Sequence, residues 1–384
     1  MFFPVDLRKF WQMVHTKLRR RKPMKKHMTL LQAGLLSIVL MTLMVFLAHG
    51  KAEAKAELNI LVMPGYEEPQ IINDFEKKYD CKINHKIYPS SDEMMALLLS
   101  SKKGTFDVIT PDAPYVEKLV KANFIIPLNP ADYPMKDFFP RFQRFEQHWI
   151  NNKLYSVTSR WGFYGLAYNS KFVDPADMQS YAGLWKEKYK GKIAIFDWYL
   201  PNMGCIAKYL GYQKPYDIGK EELKKVADTL YSLKPYVGAI PPTNSDTIQA
   251  LANANMWISI AGEWLQVLLK EQGHPIELSN PKEGGVTWTE ALVIAKDSKN
   301  QELAKKYCQW VVSPEIQARL AWANAFHATV PNAKAVNFMK KENAAMLKMD
   351  NWDYLNGVLK SIAPRKLPAD EEAWKQIWQT FKSK

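Results

Sequence analysis

Between Leu58 and Ala122, short apolar runs alternate with helical segments, and this alternation restricts the fold more than any other feature of the chain. Leu58–Met63 (LNILVM) is an apolar strand that runs into the turn Pro64-Gly65-Tyr66. Pro69 stands where it can open a helix, and Ile71, Ile72, Phe75 and Tyr79 recur on one helical face up to Asp80. Cys81–Tyr88 alternates as a second strand. Ser90-Ser91-Asp92-Glu93 is a capping-box signature ahead of Met94–Leu99. Thr105–Pro111 is a third strand and Tyr115–Ala122 a third helix. Strands joined through helices pair in parallel, and a parallel sheet must be covered on both faces. The expected class is therefore α/β.

The same grammar returns further on, as Gly191–Phe196 (strand), Pro201–Leu210, Glu221–Leu233 and Thr247–Ala254 (helices) and Met256–Ala261 (strand). Between and after these lie two extended stretches, Trp161–Tyr168 (WGFYGLAY) and Val286–Ala295 (VTWTEALVIA). Two α/β lobes joined by two such crossover strands form a clamshell with mixed sheets, and its crevice lies at the carboxyl ends of the strands, where α/β sheets take ligands. The expected lobes are residues 57–164 plus 290–332 and residues 165–289 plus 333–384. The tail from Ala333 to Lys384 reads as helical, and its Trp374, Ile377, Trp378, Phe381 stripe reads as packing surface.

Charge is concentrated at the start. The net charge is +13, but residues 1–56 hold 11 Lys/Arg against two acids, which leaves 41 bases against 37 acids in the rest. A basic chain invites a nucleic-acid reading, and the nearly balanced body argues against one. Met28–Ala48 carries no charge and follows Arg19-Arg20-Arg21-Lys22 and Lys25-Lys26, an order that holds the amino end in the cytoplasm and sends the rest across the membrane. Ala52-Glu53-Ala54 and Ala54-Lys55-Ala56 fit a signal peptidase, with cleavage expected after Ala56. The run of about 21 residues is also long enough to span a bilayer, so an uncleaved anchor remains the alternative. Cys81, Cys205 and Cys308 are too far apart for a zinc spacing and allow at most one disulfide.

Catalytic signatures are missing. The chain has no GxSxG elbow, P-loop, GxGxxG after a strand or HExxH. Its seven histidines are scattered. The expectation is a binding module with no cofactor and no metal; an exported hydrolase would need a reactive side chain at the crevice.

Several strings carry a resemblance. WGFYGLAYNSKFVDP and LWKEKYKGKIAI, within Tyr155–Ile195, resemble the extracellular solute-binding proteins of ABC importers, in particular the spermidine/putrescine type. FDVITPDAPYVEKL (Phe106–Leu119), PKEGGVTWTEALVIA (Pro281–Ala295) and VPNAKA (Val330–Ala335) fit the same family in the same order, so the likeness covers roughly residues 58–380. It implies a two-lobed periplasmic-binding-protein fold of type II that closes on a small-molecule solute, has no enzymatic activity, and delivers its solute to an ABC permease in the inner membrane.

The resemblance also implies how a polyamine-like solute is held: aromatic faces along its chain and carboxylates at its ammonium ends. Tyr66 and Trp288 fall on family aromatic positions, and Glu290 stands where the family has an aspartate. Elsewhere the pattern departs. Met63 replaces a tryptophan, Pro114 a tyrosine, and Trp198 and Pro201 occupy the places of two acids, with Asp197 one position off. Gly262 replaces another tryptophan and is followed by Glu263 and Trp264. The acids are redistributed to Asp112, Glu263 and Glu290 at expected strand ends. The candidate ligand-binding residues are Tyr66, Asp112, Trp161, Trp198, Glu263, Trp288 and Glu290. Each also has a plainer reading, as core aromatic, rim charge or helix-terminal acid. Arg160 either pairs one of these acids or meets a ligand carboxylate; in the second case an amino-acid or opine-like conjugate stands level with a diamine.

Overall fold

A computed structural model of the chain describes residues 55–384. The basic cluster and the Met28–Ala48 run lie outside the described residues. Among the described residues, no helix is long and apolar enough to cross a membrane.

The expected alternation is present from the start: β1 (Ala56–Val62), α1 (Pro69–Tyr79), β2 (Cys81–Ile87), α2 (Ser91–Ser100), β3 (Val108–Ile109) and α3 (Val116–Lys121). Pro69 does open α1, and Asp80 ends it in the left-handed conformation at φ 43°. Ser90 caps α2 by accepting the Glu93 N–H at 3.3 Å. The third strand is shorter than expected because Pro111 has no N–H to continue the ladder, although Asp107 and Thr110 still donate to Asn59 and Leu61.

A two-stranded ribbon follows, β4 (Trp149–Ile150) with β5 (Lys153–Leu154). The remaining strands are β6 (Val157–Asn169), β7 (Ile193–Ile195), β8 (Val237–Ala239), β9 (Ile258–Gly262), β10 (Ile276–Ser279), β11 (Val286–Ile294) and β12 (Ala363–Pro364). Ten strands form one mixed sheet in the order β2-β1-β3-β11-β6-β9-β7-β8, with β10 on β6 and β12 on β11. The two expected crossings are thus β6 and β11, an antiparallel pair in the middle of the sheet. Every residue of both is buried, as befits strands covered on both faces.

β1, β2 and β3 are mutually parallel on one side of this pair, and β7, β8 and β9 on the other. Two large core clusters match the two sides. One gathers Leu58, Ile60, Phe75, Phe138, Phe142, Trp161 and Phe163; the other gathers Tyr164, Leu166, Ile193, Ile206, Val226 and Leu230. β6 changes cluster between Phe163 and Tyr164.

The tail departs from expectation in one respect. Ala335, Ala344, Leu347, Leu355, Val358 and Leu359 belong to the first cluster, so residues 333–362 pack on that side and only the last part joins the other. The final helix, Glu371–Ser383, buries Trp374, Trp378 and Phe381 in the second cluster, as the aromatic stripe suggests. Cys205 and Cys308 are buried in different clusters.

Candidate functional site

Side chains on a strand point alternately to its two faces. In the β6/β11 pair, Arg160 stands opposite Glu290 and Gly162 opposite Trp288. Arg160, Gly162, Tyr164, Trp288 and Glu290 therefore share one face of the ribbon, and Trp161, Phe163, Thr287 and Thr289 share the other. The turns after both groups of parallel strands reach this ribbon: Asp112 bridges to Glu290, and Gly262, the end of β9, pairs with Tyr164. Tyr66 follows β1, Asp112 follows β3, Trp198 follows β7 and Glu263 follows β9.

At one end of the face, Tyr66 is fully buried and its hydroxyl donates to Glu290 Oε2 at 2.8 Å. The Nε of Arg160 donates to the same oxygen at 2.8 Å, and its Nη2 donates to the Pro64 carbonyl at 2.7 Å. The guanidinium lies 4.7 Å from the Tyr66 ring and 4.1 Å from the Phe326 ring. Gly65 is required here: its φ is +105°, and a Cβ would stand 2.9 Å from Arg160 Nη1. Arg160 thus pairs an acid, the first of the two possibilities open from sequence.

Beside it, Arg365 is ion-paired with Asp112 and lies 4.4 Å over the Trp198 ring. Burial raises the Asp112 carboxyl, and Arg365 pulls it back. Burial likewise pushes the Tyr164 hydroxyl up to about 12.

Glu263 differs. It is the first residue of the helix Glu263–Glu271, and its carboxylate lies directly over Gly162, where a Cβ would be only 1.9 Å from Oε1. Oε2 accepts the Phe163 N–H at 3.0 Å and the Trp288 indole N–H at 3.2 Å. Oε1 is buried with no hydrogen-bond partner. Burial pushes this carboxyl up to about 8, against the hydrogen bonds it accepts. Phe326 stands 6.1 Å from Trp288 and 6.2 Å from Trp264, edge to face with both. Trp288 thus contacts a buried acid that pairs with no cation among the described residues, and Phe326 links its ring to that of Trp264.

One sequence expectation needs adjustment. Trp161 is fully buried on the opposite face, against Phe139 and Phe142, and its indole donates to the Val330 carbonyl at 3.2 Å; it belongs to the core rather than to the crevice, because it alternates with Arg160. Asp197 accepts from Trp378 and Lys382 at 2.8 and 2.9 Å and ties down the C-terminal helix. Tyr66, Asp112, Trp198, Glu263, Trp288 and Glu290 are brought together. Arg365 and Phe326 were not expected. Arg365 arrives through the short pairing of β12 with β11, and neither residue has a local sequence signal. Among the described residues, no group of three or more His, Cys, Asp or Glu is placed to hold a metal ion.

Comparisons with known proteins agree with this architecture. Residues 70–348 match the family described as bacterial extracellular solute-binding protein. The spermidine/putrescine-binding periplasmic protein of Escherichia coli is 26% identical over 311 residues, covering 77% of this chain and 86% of that protein. The putrescine/cadaverine-binding protein of Pseudomonas aeruginosa is 25% identical over 353 residues, covering 86% and 96%. Among solved structures, a putative spermidine/putrescine ABC transporter from Listeria monocytogenes superposes with a TM-score of 0.71 at 26% identity, covering 85% of this chain and 99% of that one. The α/β fold is that of the type II periplasmic binding proteins, and these relatives are transport proteins rather than enzymes.

Proposed function

Because the chain belongs to the bacterial extracellular solute-binding proteins, we propose that it captures a small amine-bearing solute, polyamine-like in its ammonium end, between the two sides of the β6/β11 ribbon. The observation that carries this is Glu263, a buried acid that accepts the Trp288 indole N–H beside the Phe326 and Trp264 rings and keeps one oxygen unpartnered. A buried ammonium needs a paired carboxylate, and ring faces attract it further. The relatives named for spermidine, putrescine and cadaverine support an amine as the ligand class.

The lobes of this clamshell are residues 57–164 plus 290–332 and residues 165–289, with residues 333–362 assigned to the first and 363–384 to the second on their packing. Hinge bending at β6 and β11 closes them over the solute, and the closed form is what an ABC permease in the inner membrane recognises. The leader exports the protein to the periplasm. Edman sequencing of the mature protein tests the two readings of that leader: a start at Glu57 supports a soluble carrier, and an intact Met28–Ala48 supports an anchored sensor or scaffold of the same fold.

The test of the binding reading is a thermal-shift screen of linear amines. A ligand at 100 times its dissociation constant adds about 2.7 kcal/mol, a shift of several degrees in Tm. Glu263→Gln is expected to weaken every ammonium ligand at least tenfold. Unchanged affinity in that variant would remove Glu263 from the site and with it this reading.

A further inference from the structure

Two of the three crevice acids are already answered by cations of the chain itself. Glu290 is paired with Arg160 and Asp112 with Arg365, and the two arginines are 0% and 3% exposed. Each guanidinium also covers the ring beside its acid, Tyr66 for Arg160 and Trp198 for Arg365. The acid-and-aromatic seats suited to a second ammonium are therefore occupied by arginine. An ammonium brought to either seat would meet a like charge already paired with the acid it needs.

The same end of the crevice is short of acceptors. Arg160 Nη1 and Arg365 Nε are both buried without a hydrogen-bond partner. Buried N–H groups on a charged side chain call for an acceptor, and a carboxylate is the strongest one available to a guanidinium. At the other end Glu263 presents an unpartnered oxygen. Its carboxylate lies over Gly162, two residues along β6 from Arg160 and about 6–7 Å away in strand rise. Phe326 connects the two ends, since it touches both the Arg160 guanidinium and the Trp264/Trp288 pair.

Resting on the assignment of Glu263 to an ammonium, we infer that the solute is a short zwitterion of the ω-amino-acid class, its ammonium held at Glu263 and its carboxylate received by Arg160 and Arg365. Arg160 and Arg365 are then the residues that set specificity, because they turn a crevice lined with acids from a diamine site into one that demands a negative group at its far end.

Calorimetry on the full chain tests this with three linear series of three to six carbons: α,ω-diamines, ω-amino acids and α,ω-dicarboxylates. One ω-amino acid is expected to bind at least tenfold more tightly than the diamine of the same length. A diamine that binds as tightly or more tightly, with affinity that falls in Glu263→Gln, overturns the zwitterion while leaving the ammonium reading intact. A dicarboxylate that binds tightest, or no binding by any amine of the series, overturns both. Arg365→Gln sharpens the result by releasing Asp112: it should lose the ω-amino acid at least tenfold while holding or gaining affinity for the diamine. Equal losses for the two ligand types would mark Arg365 as structural support and contradict its role in specificity. The ligand comparison in the unaltered protein stands whether or not that variant folds.

Discussion

Glu290 and Glu263 lie on the same face of the β6/β11 ribbon, 4% and 7% exposed, and they differ in what answers them. Glu290 receives the Arg160 guanidinium and the Tyr66 hydroxyl on one oxygen. Glu263 receives the Phe163 and Trp288 N–H groups and, among the described residues, no cation. Coulombic pairing makes the first acid part of the fold, whereas desolvation without a counter-charge makes ionisation of the second costly, so that it holds its proton well above the usual carboxylate range. Position at a strand end alone does not distinguish these two acids; what answers each of them does.

Removing a partner from Glu290 should produce the largest effect. Arg160→Met leaves a buried carboxylate unpaired and is expected to lower stability by about 3–5 kcal/mol, measured by urea denaturation. Arg160→Met combined with Glu290→Leu should recover most of that loss, since a buried pair replaced by apolar side chains is often neutral or better. If the double variant is as unstable as the single one, the comparison is wrong about why Glu290 is tolerated.

The two faces of β6 give the next test. Trp161→Ala creates a cavity against Phe139 and Phe142 and should cost up to about 3–5 kcal/mol, with amine affinity within twofold of the unaltered protein at temperatures where the variant is folded. Trp288→Leu, on the crevice face, should instead weaken amines by about tenfold. A loss of affinity in the Trp161 variant would return that residue to the site.

The third test is in pH. Glu263 keeps its proton in the folded, ligand-free protein up to about 8, whereas the unfolded chain loses it near its ordinary value of about 4.3. The unfolded state thus binds fewer protons in this interval, and the contribution of Glu263 to stability falls as pH rises from about 4.3 to about 8 and is level above that. Glu263→Gln should flatten this part of the profile by several degrees in Tm. An identical slope in both proteins would mean the carboxyl titrates normally.

These differences also show how far the sequence could be read. The strand and helix order was visible because periodicity and caps such as Pro69 and Ser90 are local. The acids and aromatics that follow strands were visible for the same reason. What was hidden depends on contacts between distant segments: Arg365 is carried in by a two-residue strand far along the chain, and Phe326 lies in a loop between a helix and a bridge to Trp322. Arg160 and Trp161 form the instructive case. Alternation says that only one of them faces the crevice, but choosing between them needs the register that pairs Arg160 with Glu290.

Proton counting tests the central claim most directly. Calorimetry at pH 7 in two buffers of different ionisation enthalpy, with 1,4-diaminobutane and 4-aminobutanoate as probes, measures protons released on binding. Glu263 is mostly protonated in the free protein at that pH and must ionise to pair with an ammonium, so whichever probe binds should release close to one proton, and Glu263→Gln should release none. Binding with no proton release and equal affinity in the two proteins would contradict the account.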